Sequence, residues 1–149
     1  MSIRGVGVDV VDIARFTTTA ANNPKLIRSV FTAAEITQAA RRAGAQLPDV
    51  SAHTAWQGPL PFPLPLATQS ARFLAGRFAL KEAIAKVMGA PRGMRWHDCE
   101  IRVGQNRQPV VHLSGTIAHV ATLAGIDSWF VSLSHDGGVV VALAVGQAQ

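Results

Sequence analysis

The chain has 149 residues, of which 48% are apolar, and carries a formal net charge of +5 at neutral pH. That length accommodates one domain, residues 1–149, with a sizeable core, and the basic balance points to an acidic partner or a phosphate ligand. No apolar run of about eighteen residues occurs, and acidic residues interrupt the N-terminal stretch MSIRGVGVDVVDIARF, so neither a membrane span nor a signal peptide is expected and the protein is assigned to the cytoplasm.

IRGVGVDVV is rich in β-branched residues and reads as a strand from about Ser2 to Val10, thinned by Gly5 and Gly7, with Asp9 near its end. Asp12 either faces solvent or caps the helix that follows. Asn23 and Pro24 open a short helix through NNPKLIRSVF, placing Lys25 and Arg28 on one face. In FTAAEITQAARRAG, Thr32 and Glu35 have capping-box spacing and Gly44 is placed to stop the helix. Residues 45–69 carry Pro59, Pro61, Pro63 and Pro65 at alternate positions, which neither a helix nor a central strand tolerates, so this segment reads as an extended loop.

A longer helix follows, from about Ser70 to Met88, and CEIRV and PVVHL form a hairpin around GQNRQ. SGTIAHVATLAG reads as a helix opened by Ser114 and closed by Gly125; WFVSLSH and GVVVALAV complete the strands. Strands joined by short loops pair antiparallel, so the order implies an α+β fold with helices covering an antiparallel sheet. Cys99 stands alone, with no disulfide partner and no zinc-ligand spacing, and reads as a small buried apolar residue.

The chemistry concentrates in GRFALKEAIAKVMG, residues 76–89. Arg77 and Lys81 are like charges four residues apart, a repelling arrangement on one helix face unless an anion lies against them. One reading is an amphipathic helix with a solvated charged side and Phe73, Phe78, Ile84 and Val87 in the core. The other is a phosphate site: cations around Glu82, with Ala85 and Gly89 keeping the approach free of bulk, suit phosphates bridged by a divalent metal. Magnesium often takes one or two carboxylates plus phosphate oxygens, and Asp9 is the best second carboxylate. Ser132, Ser134 and His135 add polar groups at the end of an apolar strand. A nucleic-acid binder would set exposed aromatics among its basic residues; here aromatics are 6% and tyrosine is absent. A magnesium-dependent phosphohydrolase acting on a nucleotide would use the same carboxylates and cations.

The order of these segments carries a resemblance. GVGVDVVDIARF, FTAAE, RFLAGRFALKEAIAKVMG, GQNRQPVVHLSG and VSLSHD together resemble the holo-acyl carrier protein synthases, the short bacterial type of 4′-phosphopantetheinyl transferase, over most of the chain outside residues 45–69. The resemblance implies transfer of 4′-phosphopantetheine from coenzyme A to a serine of an apo acyl carrier protein, or of a carrier domain in a fatty acid synthase, with release of adenosine 3′,5′-bisphosphate. It implies Mg²⁺ held by Asp9 and Glu82 together with the coenzyme A diphosphate. Lys81 would contact phosphate oxygens and help the leaving group, while Arg77, Lys86 and His135 would hold the diphosphate and 3′-phosphate, with Ser134 and Gly89 beside them. Arg15 and Arg28 match the basic face that docks the acidic carrier. The general base is either a metal-bound water oriented by a carboxylate or Asp136. The same resemblance implies a homotrimer with a site at each junction between subunits. Ala85 stands where this motif often carries a serine, and residues 45–69 are longer and richer in proline than the link expected there.

Overall fold

The computed structural model of the chain describes residues 1–48, 50 and 54–149. It opens with a strand, β1 (Ser2–Asp12), that runs two residues beyond the expected end and passes directly into a helix, α1 (Ile13–Asn22). Asp12 makes that junction: its carboxylate accepts the Arg15 N–H at 2.8 Å and satisfies one of the open N-terminal donors. Two further helices follow, α2 (Pro24–Val30), with proline in its first turn, and α3 (Ala33–Arg42). The capping box on α3 is complete, because Thr32 accepts from the Glu35 N–H while Glu35 accepts from the Thr32 N–H.

As far as Ala67 the proline-rich segment forms no regular element among its described residues apart from an isolated bridge between Thr32 and Ala55, whereas Thr68 and Gln69, expected in the loop, already belong to the helix that follows. Asp49 and residues 51–53, which fall within that expected loop, lie outside the described residues. The rest of it is anchored: Ala33 N–H donates to the Thr54 carbonyl, Trp56 Nε1 to the Pro59 carbonyl, and Trp56, Leu60, Phe62 and Leu64 pack on the core.

The central helix, α4 (Thr68–Val87), is followed by a hairpin, β2 (Cys99–Val103) and β3 (Pro109–Leu113), then α5 (Gly115–Leu123), β4 (Ser128–Asp136) and β5 (Val139–Ala148). The fold is α+β with antiparallel pairing throughout, but the strands divide into two sheets, β1-β5-β4 and the β2-β3 hairpin. A physical reason lies on β2, where the buried Ile101 N–H donates to the Glu35 carboxylate at 2.8 Å instead of to another strand.

Helix α4 lies across the inner face of the three-stranded sheet. Val140, Ala142 and Ala144 of β5 are fully buried beneath it, and Gly5 and Gly7 of β1 let the helix backbone come close. A Cβ at Gly7 would sit 1.9 Å from the Ala83 carbonyl oxygen, so glycine there is a steric requirement of the packing. Its other side meets α3 and β2, which leaves most of α4 buried all round. The outer face of the sheet is apolar and bare: Val6, Val8 and Val10 of β1 pair with Val145, Leu143 and Val141 of β5, and Phe130 extends the row on β4.

Candidate functional site

The residues expected to form one site fall into two cavities on opposite edges of the β1-β5-β4 sheet. The first, of about 440 Å³, opens at the β1 edge between β1, α1, α2 and α4. Asp9 and Glu82 both line it, with Arg15 at its rim and Phe16, Leu26 and Phe78 as apolar wall. β1 brings Asp9 here because the alternation that points Gly5, Gly7 and Val11 inward points Asp9 the same way. Lys86, one turn beyond Glu82, reaches across to donate to Asp9 Oδ1 at 2.9 Å and to the Val8 carbonyl at 2.8 Å. Glu82 titrates above its usual range, first because it is partly desolvated and then because the Asp9 carboxylate repels its charge; Lys86 opposes both.

Two carboxylates whose negative charges oppose each other in a half-closed cavity fit a divalent cation. Among the described residues no cluster of three or more His, Cys, Asp or Glu side chains assembles, so the protein offers two oxygen ligand groups and leaves the remaining positions to water and substrate oxygens. That is the pattern magnesium favours.

The second cavity, of about 770 Å³, opens at the β4 edge and is strongly basic, lined by Arg42, Arg72, Arg77, Arg107 and His135. Phe73 is its platform: the Arg77 guanidinium lies 4.3 Å and that of Arg42 4.6 Å from the ring centroid. Arg77 is 7% exposed, and its Nε is buried with no hydrogen-bond partner. Burial lowers its pKa to about 10; Glu35 opposes that shift and Arg42 adds to it. A buried, unpartnered guanidinium edge beside three further arginines is chemically ready for an anion. Arg42, Arg72 and Arg107 were not singled out by sequence reasoning. Arg72 is one turn from Gly76 on a helix already known to carry cations, but nothing local marks Arg42 or Arg107, which reach the cavity from α3 and from the β2-β3 turn.

Several expectations are corrected by the geometry. Lys81 does not face either cavity: its side chain is fully buried, with the ammonium 2.8 Å from Glu35 and 2.7 Å from the Val30 carbonyl. The anion opposite Lys81 is thus internal, while Arg77, mostly buried, still lines the basic cavity, so the two do not form one solvated edge. Of the β4 serines, Ser132 lines the basic cavity and Ser134, across from Val141, does not. Gly89 lines neither cavity; with φ at +76 it follows the end of α4, where its N–H closes on the Lys86 carbonyl. Arg28 donates through Nε and Nη2 to the Gly58 carbonyl, which commits its fork to the proline-rich segment. Asp136 is exposed at the end of β4 and lines neither cavity. Cys99 is buried, as its isolation implies.

Helix α4 thus lies over glycines of a three-stranded antiparallel sheet, with an acid pair at one edge and a basic cavity at the other. The chain matches the family model of the 4′-phosphopantetheinyl transferase superfamily over residues 5–144. It is 40% identical over 147 residues to the holo-[acyl-carrier-protein] synthase of Frankia casuarinae, covering 99% of each chain. Among solved structures it is similar to acyl carrier protein synthase from Mycobacterium tuberculosis, at 28% identity and a TM-score of 0.63 over 99% of this chain and 100% of that one. The complex of an acyl carrier protein synthase with coenzyme A from Chronobacterium ammoniagenes shares the fold, at 23% identity and a TM-score of 0.74 over 100% of this chain and 99% of the other. The chain belongs to the holo-acyl carrier protein synthase family and is an enzyme that transfers phosphopantetheine to an apo acyl carrier protein. No helix among the described residues is long and apolar enough to cross a membrane.

Proposed function

We propose that the chain uses coenzyme A as donor, requires Mg²⁺, and releases adenosine 3′,5′-bisphosphate. The observation that carries this reading is the meeting of Asp9 and Glu82, far apart in sequence, in one cavity where the Asp9 carboxylate disfavours the charge of Glu82. Coenzyme A bound to the Chronobacterium ammoniagenes relative supports the choice of donor.

Asp9 and Glu82 would hold the cation, and Lys86, already at the Asp9 carboxylate, lies where an ammonium can follow the diphosphate oxygens. When bound, the cation neutralises charge on the diphosphate. The carrier serine oxygen forms a new bond to the β-phosphorus of coenzyme A; the bond from that phosphorus to the bridging oxygen breaks, and its electron pair leaves with adenosine 3′,5′-bisphosphate. Glu82, beside Asp9, would orient a water to take up the serine proton. Arg77 would supply a phosphate-holding cation in the basic cavity, and His135 a further hydrogen-bond donor.

In a single chain the two cavities share no lining residue, and β5 separates the strands that carry them. Both face one ligand if copies of the chain assemble so that the β4 edge of one meets the β1 edge of the next. The bare apolar face of Val6, Val8, Val10, Val141 and Leu143 supports such a homotrimer. Arg15, at the rim of the acid cavity, is the residue placed to meet an acidic carrier.

The test is to incubate the chain with coenzyme A, Mg²⁺ and an apo acyl carrier protein and to weigh the carrier. A mass gain of one phosphopantetheine with stoichiometric nucleotide release is expected. Breakdown of coenzyme A with no gain on the carrier would mean hydrolysis and overturn the proposal.

A further inference from the structure

Lys81 and Glu35 form the most completely satisfied polar group in the core. The ammonium has three protons and three acceptors: Glu35 at 2.8 Å, the Val30 carbonyl at 2.7 Å and the Trp96 carbonyl at 3.3 Å. The Glu35 carboxylate accepts in turn from Thr32 N–H at 3.0 Å and Ile101 N–H at 2.8 Å. One buried pair therefore ties together the end of α2, the start of α3, β2, the turn at Trp96 and the middle of α4. No proton of Lys81 is left over for a ligand.

We propose that Glu35 and Lys81 are positioning residues for the transfer reaction, a buried pair that fixes the rotation of α4 so that Glu82 meets Asp9 while Arg77 meets the basic cavity. The inference rests on the function proposed above. Glu82 follows Lys81 directly, about 100° further round the helix, so the azimuth of one sets that of the other. A carboxylate some 5–6 Å from the helix axis moves about 2 Å for a 20° rotation, enough to break shared coordination with Asp9. Arg77 lies four residues before Lys81, on the same inward side, and Glu35 also favours its charge. The like-charged spacing on α4 is thus arranged around one internal anion, and Arg77, incompletely compensated, keeps a buried unpartnered Nε. An internal pair of this kind acts through geometry, so it is replaceable by a neutral pair that preserves the packing.

The experiment is a double-mutant cycle of Lys81→Met and Glu35→Gln, read by carrier mass gain, Mn²⁺ affinity and thermal melting. Lys81→Met alone leaves a buried carboxylate uncompensated; kcat and Mn²⁺ affinity fall while KM for coenzyme A changes little. The double variant should recover both by roughly tenfold or more, the scale of coupling expected for residues in contact. Recovery of melting temperature without recovery of kcat would overturn the proposal, since the ammonium would then act on the reacting phosphates. A double variant that does not fold leaves a measurement on the wild-type chain. The ¹⁵Nζ resonance of Lys81, protected by burial, should not shift when adenosine 3′,5′-bisphosphate and Mg²⁺ are added, and a large shift overturns the proposal. A wild-type chain with no transferase activity would count against the proposed function instead, and the Mn²⁺ and melting arms would still decide the pair: no coupling in either refutes it.

Discussion

Replacing Gly7 by alanine tests the contact on which the acid cavity depends. A Cβ there would lie 1.9 Å from the Ala83 carbonyl oxygen and 2.8 Å from its carbonyl carbon. Against the 3.4 Å of an ordinary contact the shortfall is about 1.5 Å, and the obstructing atoms are helix backbone, which cannot swing aside as a side chain can. Either β1 and α4 separate or the strand bends, and overpacking of this kind costs about 3 kcal/mol or more. For a chain of this size that corresponds to a fall of roughly 6–12 °C in melting temperature. Ala83 is flanked by Glu82, so separation also draws Glu82 from Asp9, and transferase activity should fall below what the lost folded fraction explains. Gly76→Ala is the counterpart. Its Cβ would meet nothing nearer than the Leu133 side chain, at 3.4 Å, an ordinary contact, and removing a glycine from mid-helix stabilises by up to about 1 kcal/mol. That Cβ would also stand 3.7 Å from His135 Nε2, so a more stable protein with weaker binding of adenosine 3′,5′-bisphosphate is expected. Thermal melting of both variants in one buffer decides the matter: a Gly7→Ala protein that melts within 2 °C of wild type, by the same conversion, and keeps its activity would refute the close approach of α4 to β1.

Glu82 titrates upward on folding, so its protonated form favours the folded state; in metal-free protein that contribution is present at acid pH and lost as pH rises through its elevated pKa. Glu82→Gln should therefore be at least as stable as wild type near neutral pH without metal yet inactive, and a less stable Glu82→Gln protein in a urea titration contradicts the sign. Burial pushes the Cys99 thiol up to about 12, so alkylation at pH 8 should proceed only as fast as global unfolding, and rapid labelling of native protein would be inconsistent with its burial. Val8→Glu and Leu143→Glu put charges opposite each other on the exposed face of the sheet, and each should leave a folded monomer with little activity; sedimentation showing an intact trimer would remove that face from the assembly. Arg15→Gln should raise KM for the carrier and flatten its salt dependence while KM for coenzyme A holds, whereas an unchanged salt slope removes Arg15 from docking.

The local grammar of the chain was legible wherever one residue type has one physical use. The capping box at Thr32 and Glu35, Pro24 in the first turn of α2, and the hairpin strands 99–103 and 109–113 all stand where pattern places them. Gly5 and Gly7 read as a thinned strand and are where α4 packs closest. The direction of a side chain around α4 was not legible. Placing Lys81 on phosphate oxygens assumes a helix with one open face, and α4 has none of useful width, being covered by β1 and β5 on one side and by α3 and β2 on the other. Which cation turns inward is decided by the carboxylate waiting there, 46 positions earlier in the chain, and Glu35 already had a sufficient local reason to exist.

That double duty explains how one helix serves two cavities. A lone amphipathic helix offers one functional face, but a helix buried all round can present functional groups only at the edges of what covers it. On α4 those edges are set by the sheet: Glu82 and Lys86 emerge past β1, and Arg77 emerges past β4. The apolar pattern of β5 is that of a strand covered on both faces, yet within one chain only its inner face is covered. The unpaired requirements of the molecule, an apolar sheet face with no cover and a site divided between two edges, would be met together by the proposed association of copies through that face. On the proposed assembly a complete site would form only between copies, and the buried pair of Glu35 and Lys81 would hold both of its halves in register before they meet.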